Sequence, residues 1–154
     1  MILIPTNASW QVLLIEDNSS DILSTQRAFR EADPSIRLHV SSDGVDAMAF
    51  LERQGPHDRA PRPDLILLDL TLPKLDGREV LTRIKLDDNL KSIPTIILTA
   101  SETEADIMQC YQLQANVYLT KPAKPDAFEG LLNSIIKFWL TTAKLPHSTK
   151  TDEA

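Results

Sequence analysis

Two kinds of apolar pattern alternate along the chain: short continuous runs, and longer segments in which apolar residues recur every three or four positions. Val12-Leu13-Leu14-Ile15 is the first run, and it stops at the acidic pair Glu16-Asp17. Helix-period residues Ile22, Leu23, Ala28 and Phe29 follow, up to Asp33-Pro34. Ile36 to Val40 is a weaker second strand, and Val45, Met48 and Leu51 mark the next helix. Gly55 to Pro63 reads as a proline- and charge-rich connection leading to Leu65-Ile66-Leu67-Leu68, which runs straight into Asp69. Such an uninterrupted run suits a strand buried on both faces. A turn around Pro73 and Gly77 opens a helix with Val80, Leu81 and Ile84, then Thr95-Ile96-Ile97-Leu98-Thr99 forms the fourth strand. Ile107, Cys110 and Tyr111 predict the fourth helix, Val117-Tyr118-Leu119-Thr120 a short fifth strand, and Asp126 opens the last helix.

The order is therefore βαβαβαβαβα, which predicts an α/β fold: a doubly wound, five-stranded parallel sheet with five helices. In such sheets ligands bind beyond the carboxyl ends of the strands, near the topological switch point. The 154 residues fit one domain of about 150. We expect one domain over 10–142, an N-terminal extension over 1–9 and a solvated tail over 143–154. Twenty-two acidic against sixteen basic residues give a net charge of −6, which argues against nucleic acid as a partner. No segment approaches the roughly 20 apolar residues that span a bilayer, and Met1 to Pro5 lacks the basic start of a signal peptide. Cys110 is the one cysteine, so no internal disulfide is available. A cytoplasmic protein without membrane attachment is expected.

The strand ends carry the chemistry. Glu16-Asp17 follow the first strand, Asp69 the third, Thr99 closes the fourth and Lys121 follows the fifth. Gathered on one rim, the three carboxylates would repel by about 4 kcal/mol per pair at about 4 Å and an effective dielectric of about 20. A hard dication offsets that, since magnesium takes one or two carboxylates, waters and phosphate oxygens. Lys121 adds a point charge for a phosphoryl oxygen. The set permits attack of a carboxylate on phosphorus to give an acyl phosphate. Asp69, at the end of the most buried strand, is the candidate nucleophile; Glu16 and Asp17 are candidate metal ligands, and Thr99 a hydrogen-bond donor to the new phosphoryl group. Taken singly, each has an ordinary reading: a turn carboxylate, a capping pair, a surface lysine, a strand threonine. Only their joint order argues for a site.

These residues, as Glu16-Asp17, Asp69 in LILLDLTLPKLDG, Thr99 in IILTAS, and Tyr118 with Lys121-Pro122 in VYLTKP, resemble the response-regulator receiver domains of two-component signalling over about Val12 to Leu140. The resemblance implies a flavodoxin-like receiver fold and a phosphoacceptor rather than an enzyme acting on a separate substrate, with self-phosphorylation and autodephosphorylation chemistry that depends on Mg2+ (or Mn2+). By it Asp69 accepts the phosphoryl group, and Glu16, Asp17 and the Thr71 backbone carbonyl complete the metal site with Asp69. Thr99 and Tyr118 form a switch pair, Lys121 pairs with the phosphoryl group, and the Lys121-Pro122 bond is cis. Thr71 and Ser101 flank the site and are expected to set how fast water removes the phosphate. A narrower likeness, in PRPDLILLDLTLPKLDGREVLTRIK, LKSIPTIILTAS and FWL followed by LP, is to the cyanobacterial regulators served by phytochrome histidine kinases. It implies a stand-alone regulator with a phytochrome kinase as partner; the alternatives are a receiver for another kinase or a pseudo-receiver that binds partners unphosphorylated.

Other classes fit less well. A dinucleotide or flavin enzyme needs a glycine-rich or hydroxyl-rich first turn, and Glu16-Asp17-Asn18 stands there. An aspartyl phosphatase wants a second aspartate two residues after Asp69, where Thr71 stands. His39, His57 and His147 have no metal-ligand spacing, and Cys110 falls in a helix stripe as a small core residue. The last helix, read at about 100° per residue from Phe128 to Leu140, carries an apolar arc of about 200°, where packing on one core takes roughly 100°. A homodimer through the face of helix 4, strand 5 and helix 5, with Phe138, Trp139 and Leu140 at the interface, is the expected use of the excess. The competing reading is that the tail folds back over it through Leu145 and Pro146.

Overall fold

A computed structural model of the chain describes residues 9–146. The expected N-terminal extension apart from Ser9, and residues 147–154 of the expected tail with His147, lie outside the described residues. Five strands, β1 (Gln11–Ile15), β2 (Arg37–Ser41), β3 (Leu65–Leu68), β4 (Thr95–Thr99) and β5 (Val117–Thr120), form one parallel sheet in the order β2-β1-β3-β4-β5. Between and after them run α1 (Ser19–Ala32), α2 (Gly44–Glu52), α3 (Gly77–Leu86), α4 (Glu104–Gln112) and α5 (Pro125–Lys137). The Gly55 to Pro63 connection contains a short 3₁₀ turn, Gly55–His57.

The sheet separates two apolar layers, as period-two alternation requires. Leu13, Ile15, Ile66, Leu68 and Ile97 face one layer with the buried residues of α2, α3 and Cys110 of α4. Val12, Leu14, Leu65, Leu67 and Ile96 face the other, with Phe29 of α1 and Leu132 and Ile136 of α5. Every residue of β3 and β4 is buried, whereas the edge strands β2 and β5 are mostly half-buried, which is why their sequence signal is weaker. Leu23 and Val45 of the helix-period set turn outward. Side-chain caps start four helices: Asn18 accepts from the Asp21 amide, Asp43 from Asp46, Asp76 from Arg78 and Thr103 from Asp106. α5 instead opens with Pro125 in its first turn.

Two expectations are corrected. All peptide bonds among the described residues are trans, including Lys121-Pro122, which adopts the form favoured for X-Pro bonds by about 0.5–1 kcal/mol. The last helix does not continue as an α-helix to Leu140: after Lys137 it widens into a π-helical turn, Phe138–Thr142, in which the Ala143 amide donates to the Phe138 carbonyl. The hydroxyls of Thr141 and Thr142 donate to the Lys137 carbonyl there. Each residue of such a turn rotates by less than in an α-helix, so Leu140 comes round to the core stripe. It is 6% exposed and packs with Phe29, Leu132 and Ile136 in the layer against which Leu145 also lies. Leu140 is therefore part of the protomer's own core rather than of a free interface. Phe138 is 51% exposed, with Trp139 edge-on against it.

Candidate phosphoacceptor site

The chain leaves β1 on both sides, to β2 and to β3, so the switch point lies between β1 and β3. Glu16 and Asp17 sit at the end of the first, Asp69 at the end of the second. Backbone pairing carries the sheet into the site: the Glu16 amide donates to the Ser41 carbonyl and the Asp69 amide to the Ile15 carbonyl, each at 3.0 Å. Lys121 is tied to the neighbouring strand by its amide, which donates to the Thr99 carbonyl at 2.7 Å. One oxygen from each of Glu16, Asp17 and Asp69 lies within 4.8 Å of the others. Glu16 and Asp69 are buried and Asp17 is exposed, so the group is open on one side. Three hard oxygen donors around a gap open to solvent fit Mg2+ or Mn2+.

Lys121 crosses this group. Its ammonium donates to Glu16 Oε1 at 2.6 Å, Asp21 Oδ2 at 2.9 Å and Asp69 Oδ2 at 3.0 Å. The Asn18 amide donates to Glu16 Oε2 at 3.2 Å, and the Thr71 amide to Asp69 Oδ1 at 3.4 Å. Burial pushes the Glu16 carboxyl up to about 7, with Lys121 pulling the other way and Asp69 adding repulsion. Burial also works against the Lys121 ammonium, but the hydrogen bonds to Glu16 and Asp21 and the charge of Asp69 outweigh it and hold its pKa above the ordinary lysine value. The cluster thus has an excess of negative charge that one ammonium does not offset.

The expected switch residues lie on the next two strands, β4 and β5. Thr99 is buried at the end of β4. Tyr118 is half-buried against the layer formed with α3 and α4, and its hydroxyl donates to the Ser101 carbonyl at 2.9 Å. Ser101 in turn donates to Asp106 Oδ2 at 2.5 Å, and Arg78 of α3 donates to Asp106 Oδ1 at 2.6 Å and to Gln109 Oε1 at 3.1 Å. The hydrogen bond from Ser101, reinforced by Arg78, holds the Asp106 carboxyl below its ordinary range. A connected polar chain therefore runs from the first turn of α3 through the start of α4 to Tyr118.

Asp21, Arg78 and Asp106 were not singled out in the sequence. Asp21 lies in the first turn of α1, directly after the Glu16-Asp17 pair, and that nearness was its one local signal. Arg78 and Asp106 stand 28 residues apart, and no local pattern joins them. Cys110 is fully buried, and burial raises its thiol pKa. His39 bonds Gln11 and His57 bonds Asp46, away from the strand ends.

Residues 12–133 match the family model for the response regulator receiver domain. The chain belongs to that family. Its similarity to response regulator Rcp1 of Synechocystis is 44% identity over 135 residues, covering 88% of this chain and 92% of that protein. Among solved structures, the phosphorylated cyanobacterial phytochrome response regulator RcpA superposes with a TM-score of 0.88 at 44% identity, over 90% of this chain and 99% of that one. The Mn2+-bound form of Rcp1 gives 0.87 at 43% identity with the same coverage. The doubly wound five-stranded parallel sheet expected from the strand-helix alternation, and the receiver fold that the resemblance implied, are observed. No helix among the described residues is long and apolar enough to cross a membrane.

Proposed function

We propose that this receiver accepts a phosphoryl group onto Asp69 from the phosphohistidine of a histidine kinase, and that the kinase is a phytochrome. The observation that carries the reading is the convergence of Glu16, Asp17, Asp69 and Lys121 at the switch point, with carboxylate oxygens within 4.8 Å of one another and the ammonium within 3.0 Å of Asp69. An Asp69 oxygen forms the bond to phosphorus while the phosphorus–nitrogen bond of the donor breaks; the electron pair stays on the imidazole nitrogen, which takes up a proton. Glu16, Asp17, Asp69 and the Thr71 carbonyl hold Mg2+ or Mn2+, which when bound supplies positive charge to the phosphoryl oxygens. Lys121 neutralises a further phosphoryl oxygen, and the Thr99 hydroxyl donates to another. The phytochrome assignment rests on the likeness to RcpA and Rcp1.

Phosphorylation adds about one negative charge at Asp69 and draws Thr99 and Lys121 toward it. Tyr118 reports that change to the α4-β5-α5 face through its bond to the Ser101 carbonyl. Phe138, in the turn that follows α5, and Met108 and Tyr111 of α4 leave apolar surface exposed, which supports a homodimer, while Trp139 is half-buried against the protomer's own core. The receiver unit occupies 10–142 and works in the cytoplasm, without nucleic acid. Incubation with Mg2+ and a small acyl phosphate should add one phosphoryl mass to the protein and none to Asp69→Asn. No gain in the parent, or equal gain in the variant, overturns the reading. Transfer from candidate kinases, phytochrome first, tests the partner, and a monomer at micromolar concentration in both phosphorylation states overturns the dimer.

A further inference from the structure

The proposed metal site uses three carboxylates, yet Lys121 touches a fourth that is outside that set. An ammonium has three N–H donors, and all three are occupied, by Glu16, Asp21 and Asp69. Two of these acceptors belong to the candidate metal group. Once a cation and a phosphoryl group draw on the oxygens of Glu16 and Asp69, Asp21 is the contact left to Lys121. Its position is firmly set: the Asp21 amide donates to Asn18 Oδ1 at 2.9 Å, and its carbonyl accepts from the hydroxyl of the buried Thr25 at 2.7 Å.

We propose that Asp21 is a positioning residue for phosphoryl transfer, keeping the Lys121 ammonium beside Asp69 to meet the incoming phosphoryl group when the oxygens of Glu16 and Asp69 are taken up by the cation and that group. This rests on the phosphoacceptor reading of Asp69. With the tether, the ammonium enters the reaction already placed, and its charge on Glu16 and Asp69 is shared with a third carboxylate. Without it, Lys121 pairs only with the two carboxylates that the cation needs and competes for them. Both phosphoryl uptake and cation binding then suffer, although Asp21 touches neither reacting atom.

Two measurements test this. In metal-free protein labelled with 15N-lysine, the held ammonium of Lys121 gives a slowly exchanging Nζ signal, assigned by its loss in Lys121→Gln. The signal should shift in Asp21→Ala, where the ammonium keeps only Glu16 and Asp69, and stay at its parent position in Asp21→Glu, whose longer carboxylate still reaches. With Mg2+ and acetyl phosphate, the maximal uptake rate of Asp21→Ala should fall by roughly tenfold or more, the factor expected for losing one charge-assisted hydrogen bond, with partial recovery in Asp21→Glu. An unshifted signal in Asp21→Ala, or uptake in Asp21→Ala within about twofold of the parent, overturns the tether, as does equal impairment of Asp21→Ala and Asp21→Glu. The ammonium signal needs no phosphoryl chemistry. A parent that takes up no phosphate therefore refutes the phosphoacceptor reading, while the signal in Asp21→Ala separately decides the tether.

Discussion

Gly77 opens α3 against the backbone of Asp69 and Leu70, and replacing it with alanine tests how tightly that helix is fitted to the strand end. A Cβ there would lie 2.2 Å from the Asp69 carbonyl oxygen, 2.6 Å from Leu70 Cα and 2.8 Å from the Leu70 carbonyl oxygen. These are backbone atoms, fixed by pairing, and the Gly77 amide itself donates to the Leu70 carbonyl at 2.9 Å. The helix must therefore move. Overpacking of this kind costs about 1–3 kcal/mol, against at most about 1 kcal/mol of helix propensity gained over glycine. Gly130 of α5 is the counterpart, because a Cβ there meets nothing within 4 Å. There alanine should stabilise by about 0.5–1 kcal/mol. For a chain of this size about 1 kcal/mol shifts the unfolding midpoint by roughly 2–4 °C. Thermal unfolding should thus show Gly77→Ala melting several degrees below the parent and Gly130→Ala slightly above it. Phosphoryl uptake should slow in Gly77→Ala, because the displaced carbonyl belongs to Asp69, and stay at the parent rate in Gly130→Ala. A Gly77→Ala protein as stable as the parent, or shifts of the same sign in both variants, would refute the argument.

Two further outcomes follow from the π-helical turn and from Glu16. Leu140→Ala should cost about 2–5 kcal/mol in urea unfolding, as for other buried leucines, while Phe138→Ala should change stability by less than about 0.5 kcal/mol and reduce self-association in light scattering. The reverse ranking would return Leu140 to the surface. Because burial pushes Glu16 up to about 7, the folded protein keeps a proton there that an unfolded carboxyl loses near its usual value. The stability it contributes is present at low pH and is lost as pH rises through about 7. Mn2+ binding should therefore expel a proton at about pH 6 and not at about pH 8.5, read by calorimetry in buffers of different ionisation enthalpy. Equal proton release at both values would contradict the assignment.

Much of the molecule is legible from local pattern. The β3 and β4 runs are buried on both faces by helices, so they appear as unbroken apolar segments with their observed bounds. The edge strand β2 is shifted by one residue from the expected Ile36–Val40, because a half-buried strand leaves a weaker trace. The residues of the carboxyl-edge rim were legible because parallel strands all end on one side of the sheet, which brings Glu16, Asp17, Asp69, Thr99 and Lys121 to that edge without further information. The burial of Leu140 was not legible, because constant α-helical rotation ends where the π-helical turn begins at Phe138.

By itself the sequence determined the alternation of strands and helices, the class of sheet and the residues at its carboxyl edge, since each depends on periodicities of two or 3.6 and on where a run stops. The tertiary structure alone decided which of those residues touch. Lys121 reaches Glu16 across 105 residues and Asp21 across 100, and Arg78 reaches Asp106 through the packing of α3 beside α4. Contacts of that separation depend on how elements pack and on side-chain reach, neither of which leaves a periodic mark in the chain. The rim was therefore foreseeable, whereas the ammonium shared among three carboxylates, and the chain of bonds leading from Arg78 to Tyr118, became visible only in the folded molecule.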